Sequence, residues 1–380
     1  MESKSCQELE SKVINRELCT LCGACVGMCP YILAYRGRVL VRDVCDLSAG
    51  RCSTYCPRIS LDVNELSRTV FDAPYDWNGI GTVLGIFMAR PTDGKARARA
   101  QDAGTVSTLA RFVLEQGIID SAVVTFFDDK AFPQARVVSD GEELVQSAGS
   151  SYMATPVLEA FNRAVKEPDR KRIGVVATPC QAMALARMKG LKPEEGSGID
   201  KLELVIGLFC TWALSYPAFA EFLEKEVPDP IVKYKIPPPP AQVLQTFTSQ
   251  GETDLPLDRI MPFIRPACRF CHDMTSEFAD ISVGAVEFTN VQVGDHAKNG
   301  SPWNTVIVRT ERGMRLLDSA RDKGIIETAQ LPSNILDHLK NAARNKKRRA
   351  LQNIVQRTGS REDLLYFKIE PSTIGMLLDE

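Results

Sequence analysis

The chain has 380 residues, enough for two or three domains with a proper apolar core. Its 46 basic and 48 acidic residues nearly cancel, which leaves no global field for nucleic acid or a membrane surface. No apolar run approaches the roughly 18 residues that span a bilayer, and the opening Met-Glu-Ser-Lys-Ser-Cys lacks a hydrophobic signal core, so a cytoplasmic protein that does not span the membrane is expected. Twelve cysteines in such a chain point to metal or redox ligands rather than disulfides.

The first predicted element is a loop, Cys19-Thr-Leu-Cys22-Gly-Ala-Cys25-Val-Gly-Met-Cys29-Pro30, with the spacing of a bacterial-ferredoxin iron–sulfur site. Thiolates at i, i+3 and i+6 wrap one cubane, and the fourth Cys, before Pro, turns toward a second cluster. Gly23 and Gly27 supply the backbone freedom for that wrapping. A structural zinc site would instead show two separated Cys pairs. Downstream, Cys45-Asp-Leu-Ser-Ala-Gly-Arg-Cys52-Ser-Thr-Tyr-Cys56-Pro57 reads as a degenerate second motif. In the crossed-over pattern Cys56 completes the cluster of Cys19, Cys22 and Cys25, while Cys29 joins Cys45 and Cys52. Ala49 stands where a thiolate belongs, so the missing ligand is Cys6, Asp46 or nothing, the last giving a [3Fe-4S] cluster. Residues 1–62 are assigned to this ferredoxin-type module and 63–81, polar and loop-like, to a linker that keeps the module separable from the remainder of the chain.

From there the pattern is strand, helix, strand, which argues an α/β layer. Val83 to Ala89 is a buried strand, Ala96 to Gln116 a helix ended by Gly117, and Ser121 to Phe127 a second buried strand. Asp140-Gly141 marks a tight turn. The small residues Ser147 to Tyr152, including Gly149, Ser150 and Ser151, open a helix running toward Lys166; a loop at a helix N-terminus can hold phosphate on backbone amides, though an ordinary capped turn explains it as well. No Gly-x-Gly-x-x-Gly follows a strand.

Lys171 to Ala177 is a buried strand leading through Thr178-Pro179-Cys180-Gln181 into a helix over Met183 to Met188. Leu202 to Leu208 is another, ending at Cys210. Ligands collect at the carboxyl edge of such sheets. With Cys268 and Cys271, four cysteines from three places suit one four-thiolate site, either cluster or zinc; the plain alternative is that Cys180 and Cys210 are small buried hydrophobes. His272 beside Cys271 fits a hydrogen-bonding neighbour of that site. Ile236-Pro-Pro-Pro-Pro240 opens a polar excursion to Asp258, expected as a surface insertion. Phe278 to Gly284 and Trp303 to Thr310 read as two strands joined by a Gly/Asn-rich loop, Gly294 to Ser301. Residues 336–380 form a basic tail whose Lys340 to Arg349 run reads as a solvated helical face or a docking patch for an acidic partner. With three histidines and no nucleophile beside a base, hydrolase chemistry is unsupported.

Several motifs in order, Thr178-Pro179-Cys180-Gln181, Cys268-x-x-Cys271, Ala279-Asp280-Ile281-Ser282-Val283-Gly284 and Asn304 to Thr310, resemble the family formed by the beta subunits of coenzyme F420 hydrogenases and dehydrogenases. Asp102-Ala-Gly104-Thr105 and Gly117 to Val124 resemble the family's flavin-domain opening, and the whole match runs from about Val83 to Gln330. An N-terminal two-cluster module on that core is most similar to the input subunits of F420H2 dehydrogenases. The resemblance implies an α/β core in two parts, 82–168 and 169–335, holding FAD and one [4Fe-4S] cluster, three clusters in all with the N-terminal pair. It implies coenzyme F420 as hydride substrate and further subunits of a redox complex, on a membrane or not, or ferredoxin, as partners. Implied cofactor contacts are Gly104, Thr105, Gly149, Ser150, Ser151, Thr178 and Gln181, and the implied core ligands are Cys180, Cys210, Cys268 and Cys271. Ala285 departs from the acidic residue expected after Gly284. The alternative is an electron relay within a formate dehydrogenase or heterodisulfide reductase type of complex, fed by ferredoxin or NAD(P)H.

Overall fold

The computed structural model describes residues 5–43, 45–99, 102–127, 132–191, 197–237, 240–286 and 302–379. The N-terminal part begins with helix α1 (Ser5–Leu9), continues through a wider turn, Glu10–Ile14, and adds the hairpin β1 (Ile32–Tyr35) and β2 (Arg38–Val41), helix α2 (Arg51–Thr54) and strand β3 (Leu61–Asp62). The expected linker is not a loop: α3 spans Val63–Phe71, capped by the Asp62 carboxylate, which accepts from Glu65 N at 2.9 Å. Its polar composition belongs to one face only, since Val63 and Leu66 are buried, and Tyr75 and Trp77 beyond it are buried too.

The central sheet has eight strands. In chain order they are β4 (Gly85–Pro91), β5 (Ser121–Phe127), β6 (Pro133–Val138), β7 (Ile173–Ala177), β8 (Leu202–Leu208), β12 (Ile281–Ala285), β13 (Asn304–Val308) and β14 (Ile326–Gln330), and across the sheet they run β14-β4-β13-β12-β8-β7-β5-β6. The inner strands β12, β8, β7 and β5 are parallel; the flanking pairs are antiparallel. Near-continuous apolar runs such as Val123-Val124 and Leu204-Val205-Ile206 are what strands buried on both faces require. The motifs at 279–284 and 304–310 turn out to be the joinery of this sheet. Asp280 Oδ2 accepts from Val205 N and Oδ1 from the Thr310 hydroxyl. The buried Arg309 donates to Ile80 O, Thr82 O, Thr275 O and Ser282 Oγ, locking the chain before β12 onto the strand beside it.

Several boundaries differ from the expected ones. The helix expected over 96–116 is two, α4 (Gly94–Arg99) and α5 (Thr105–Glu115), because Gly104 has φ +89°, which no helix interior contains. Residues 100–101 lie outside the described residues. Asp140-Gly141 is not a hairpin turn but the start of α6 (Gly141–Gln146), with the Asp140 carboxylate capping Glu142 N and Glu143 N. Helix α7 begins only at Val157 and ends at Ala164, so the 147–152 loop precedes it rather than opening it. Helix α8 (Pro179–Gly190) starts earlier than expected, Pro179 being favoured in a first turn, and Cys180 therefore sits inside the helix.

After α9 (Ala218–Glu226), the stretch to 258 is not a polar surface excursion. It forms a three-stranded antiparallel sheet of β9 (Ile231–Lys235), β10 (Val243–Thr248) and β11 (Gly251–Pro256), followed by α10 (Leu257–Ile260). Tyr234, Leu244 and Leu255 point inward onto Met153, Leu214 and Phe219, a period-2 burial hidden among polar neighbours. Pro238 and Pro239 of the proline run, and the expected 294–301 loop, lie outside the described residues.

Helix α11 (Glu311–Asp322) covers one face of the sheet. The basic tail is the long helix α12 (Ser333–Thr358), then β15 (Phe367–Lys368), paired parallel to β3, and α13 (Pro371–Leu378). It is no solvated run: Lys346 and Lys347 are buried. One apolar core joins the N-terminal cysteine loops, α7, α8 and α12, running from Leu9 and Leu21 through Leu158, Phe161 and Leu185 to Leu351 and Leu377. The module is continuous with the rest, not a separable unit. Among the described residues no helix is long and apolar enough to cross a membrane.

Candidate functional site

Cys19, Cys22, Cys25 and Cys56 face one another. Burial pushes the Cys25 thiol well up, and Cys19, Cys22 and Cys56 push it further. Burial likewise raises Cys56 to about 12, against the Arg58 backbone and the Arg187 and Arg58 charges. The loop's shape depends on glycine at two places. At Gly23, φ +88°, a Cβ would stand 2.7 Å from Glu159 N and Pro156 O, and at Gly27, φ +79°, one would stand 3.0 Å from Glu159 O. Both lie against the start of α7, which also holds the loop: Leu158 N donates to Cys22 O, and the buried Asn162 amide donates to Gly23 O, Ala24 O and Val26 O. Arg265 reaches in from the other side, donating to Cys19 O at 3.0 Å and Gly37 O at 2.9 Å.

A second group gathers around Cys52. Burial raises its thiol, the Ser5 hydroxyl opposes the rise, and Cys29 and Cys45 add to it. Ala49 and Asp46 are exposed. The two groups adjoin, since Cys52 also acts on Cys25.

The third group borders a cavity of about 660 Å³ at the carboxyl ends of β5, β7, β8 and β12. Cys180 enters it from the first turn of α8, Cys210 from the end of β8, and Cys268 and Cys271 from the turn Pro266–Phe270 and the residue after it. Burial raises Cys180 to about 11, opposed by the Thr178 hydroxyl and reinforced by Cys271 and Cys268. Burial raises Cys210 still more, Lys346 opposing and Cys268, Cys180 and Cys271 adding to it. The three-place convergence expected from cysteine count is thus what the fold brings together. Cys180 also acts on Cys22, so this group adjoins the first.

All seven residues expected at the cofactor line this same cavity. Their side chains divide by use. The Thr105 hydroxyl donates to Ala89 O and its N–H to Asn304 Oδ1, and Gln181 is spent on structure, accepting from Thr178 N and donating to Thr155 O. Gly104, at the start of α5, and Gly149, φ +136°, offer backbone instead. An 11-residue helix opening onto a cavity places N–H groups and the positive end of its dipole there, the usual seat for phosphate. The buried Thr155 hydroxyl, also lining the cavity, has no hydrogen-bond partner among the described residues, which fits a ligand with acceptors to offer.

Sequence reasoning missed the residues that hold these groups. Lys346 donates to Cys210 O and Thr211 O, and Lys347 donates to Asp76 O, Gly79 O and Glu277 Oε2. A lysine pair inside a basic run carries no signal of burial; Asn162 carried one only as a polar residue on the apolar face of α7. His272 is neutral, held well below its usual range by burial and then by Lys347, and packs among Tyr75, Trp77 and Phe367. Among the described residues no three Cys, His, Asp or Glu side chains gather as they would around a single ion. A cubane carries its thiolates on separate irons and asks for the wider spacing.

Residues 170–334 match the family described as the C terminus of the coenzyme F420 hydrogenase/dehydrogenase beta subunit, residues 86–162 match its N-terminal part, and residues 12–31 match a 4Fe-4S binding domain. The beta subunit of coenzyme F420 hydrogenase from Methanothermobacter thermautotrophicus is 30% identical over 287 residues, covering 73% of this chain and 96% of its own. The F subunit of the F(420)H(2) dehydrogenase from Methanosarcina mazei is 29% identical over 337 residues, covering 82% and 85%. Among solved structures, a chain of the F420-reducing [NiFe] hydrogenase complex of Methanosarcina barkeri superposes with a TM-score of 0.64 at 26% identity, over 74% of this chain and 95% of that one.

Proposed function

The chain belongs to the family of coenzyme F420 hydrogenase/dehydrogenase beta subunits, and on that premise we propose that it exchanges hydride between coenzyme F420 and FAD and passes single electrons through three iron–sulfur clusters to a partner. The observation that carries this reading is the joint lining of one cavity by a helix N-terminus and four convergent cysteines. FAD, when bound, supplies the adaptor between a two-electron hydride carrier and one-electron clusters. The α5 N-terminus and the Gly149-Ser150-Ser151 loop would hold its phosphates, and the apolar ends of β5 and β8 would exclude water from the cavity around it.

Cys180, Cys210, Cys268 and Cys271 hold the core cluster; Cys19, Cys22, Cys25 and Cys56 hold the next; Cys29, Cys45 and Cys52 belong to the last. Burial raises the Cys22, Cys25 and Cys180 thiols and favours their protonated form when metal-free, so their ligation would release protons. The charge of Cys180 is felt at Cys22 and that of Cys52 at Cys25, which supports a chain of three groups running outward from the cavity.

Anaerobic stopped-flow absorbance tests the substrate. Reduced F420 should bleach the bound flavin rapidly, a one-electron dye should restore it, and NADH should act poorly. Rapid bleaching by NADH with none by reduced F420 overturns the assignment. Reduction by neither, with reduction by a reduced ferredoxin, makes the chain a relay.

A further inference from the structure

Helix α1 delivers two adjacent residues to the second cysteine group, upstream of both motifs. Cys6 is 1% exposed, yet it packs in none of the apolar cores of the described residues. A cysteine buried as a small hydrophobe sits among apolar side chains. Cys6 sits against polar atoms instead: its Sγ accepts from Cys45 N at 3.4 Å and lies 4.0 Å from Cys45 O. Ser5 fixes the helix in that place. Its N–H donates to Leu47 O at 2.9 Å, and its hydroxyl lies 2.6 Å from Ser53 Oγ and 3.2 Å from Cys52 Sγ. Asp46, the rival ligand, is exposed, and Ala49 has no ligand atom.

We propose that Cys6 is the fourth thiolate of the second N-terminal cluster, which with Cys29, Cys45 and Cys52 makes it a four-iron centre whose missing motif ligand comes from the preceding helix. Cys6 gives up its proton on ligation, and no redox step is involved. The Ser5 hydroxyl then donates to the Cys52 thiolate, a bond of the kind that raises a cluster's reduction potential. The inference rests on the proposal that the cysteine groups carry clusters.

The test uses the full-length protein, loaded with iron and sulfide without oxygen, as wild type, Cys6→Ser, Cys6→Ala and Asp46→Ala. Iron per chain and the electron paramagnetic resonance of the oxidised protein are measured. Both Cys6 variants should lose one iron and gain the sharp signal of an oxidised three-iron cluster, while Asp46→Ala matches wild type. In wild type, Cys6 should resist alkylation until a chelator strips the iron and then react, which a variant's failure to fold does not affect. An intact second four-iron centre in both Cys6 variants, or a Cys6–Cys45 disulfide in the loaded wild type, overturns the proposal. Wild type with its other clusters but only three irons in this one overturns the proposal alone; wild type without any iron removes the functional reading as well.

Discussion

Cys19, Cys22 and Cys25 come from one loop, and their relative placement is written in the spacing between them, whereas Cys180, Cys210, Cys268 and Cys271 come from a helix start, a strand end and a short turn that meet only when the sheet is complete. The two regions are supported in opposite ways. The local loop has its own ligands but borrows its scaffold, leaning on the start of α7 through Asn162 and Leu158. The core group has sheet edges on its own side, yet its carbonyls and turn are closed from α12 by Lys346 and from β15's neighbour Tyr366, whose hydroxyl donates to Phe270 O. A contiguous motif is thus no guarantee of an independent unit.

The harshest way to break the contrast is to delete residues 5–60. The shared core predicts no folded remainder, because Leu158, Phe161 and Leu185 lose their cover. A soluble, protease-resistant fragment with cooperative unfolding would restore the separable module. Next, Cys210→Ala should remove the whole core-cluster signal while both N-terminal clusters keep theirs, as counted by iron analysis and reductive titration; if every signal survives, Cys210 merely packs.

A subtler probe lies beneath the Cys271 turn. Burial, opposed by Lys347, pushes the Glu277 carboxyl up to about 7. An unfolded Glu releases its proton near 4.3, so above that value the folded state alone holds one, up to the folded pKa. The stability this contributes is full at acid pH and falls as pH rises to about 7. Glu277→Gln should flatten that slope by about 3 kcal/mol, read by denaturant unfolding near pH 5 and pH 8 without oxygen. An unchanged slope would mean that Glu277 is ionised throughout. The smallest effect is expected at Asn162→Ala, which strips three carbonyls of their donor and should cost about 2 kcal/mol, with faster iron loss from the first cluster than from the core. Equal loss from both would dissolve the distinction.

Legibility followed the range of the interaction. The first motif, the strands at Ser121–Phe127 and Leu202–Leu208, and the α/β order were readable because spacing and apolar runs are local properties. The convergence of the core cysteines was readable only by counting thiols, and its geometry came from strand order. What escaped was set by partners far along the chain. The 231–256 strands hid because a small sheet with one solvated face reads as polar, and the 96–116 helix was overextended because Gly104 acts through its φ rather than its hydropathy. Lys346 and Lys347 escaped because a buried ammonium is recognisable only by the carbonyls around it.

The placement of Lys346 has a consequence for how the protein is made. Because the Cys210 carbonyl is tied to Lys346 of α12, 136 residues further on, the core cysteine group lacks its closing contact until that helix has been made. The first cysteine loop meets its partners earlier, at Asn162 and then at Arg265, both before Lys346 in the chain. Any metal the two groups take therefore meets a completed first loop before a completed core group.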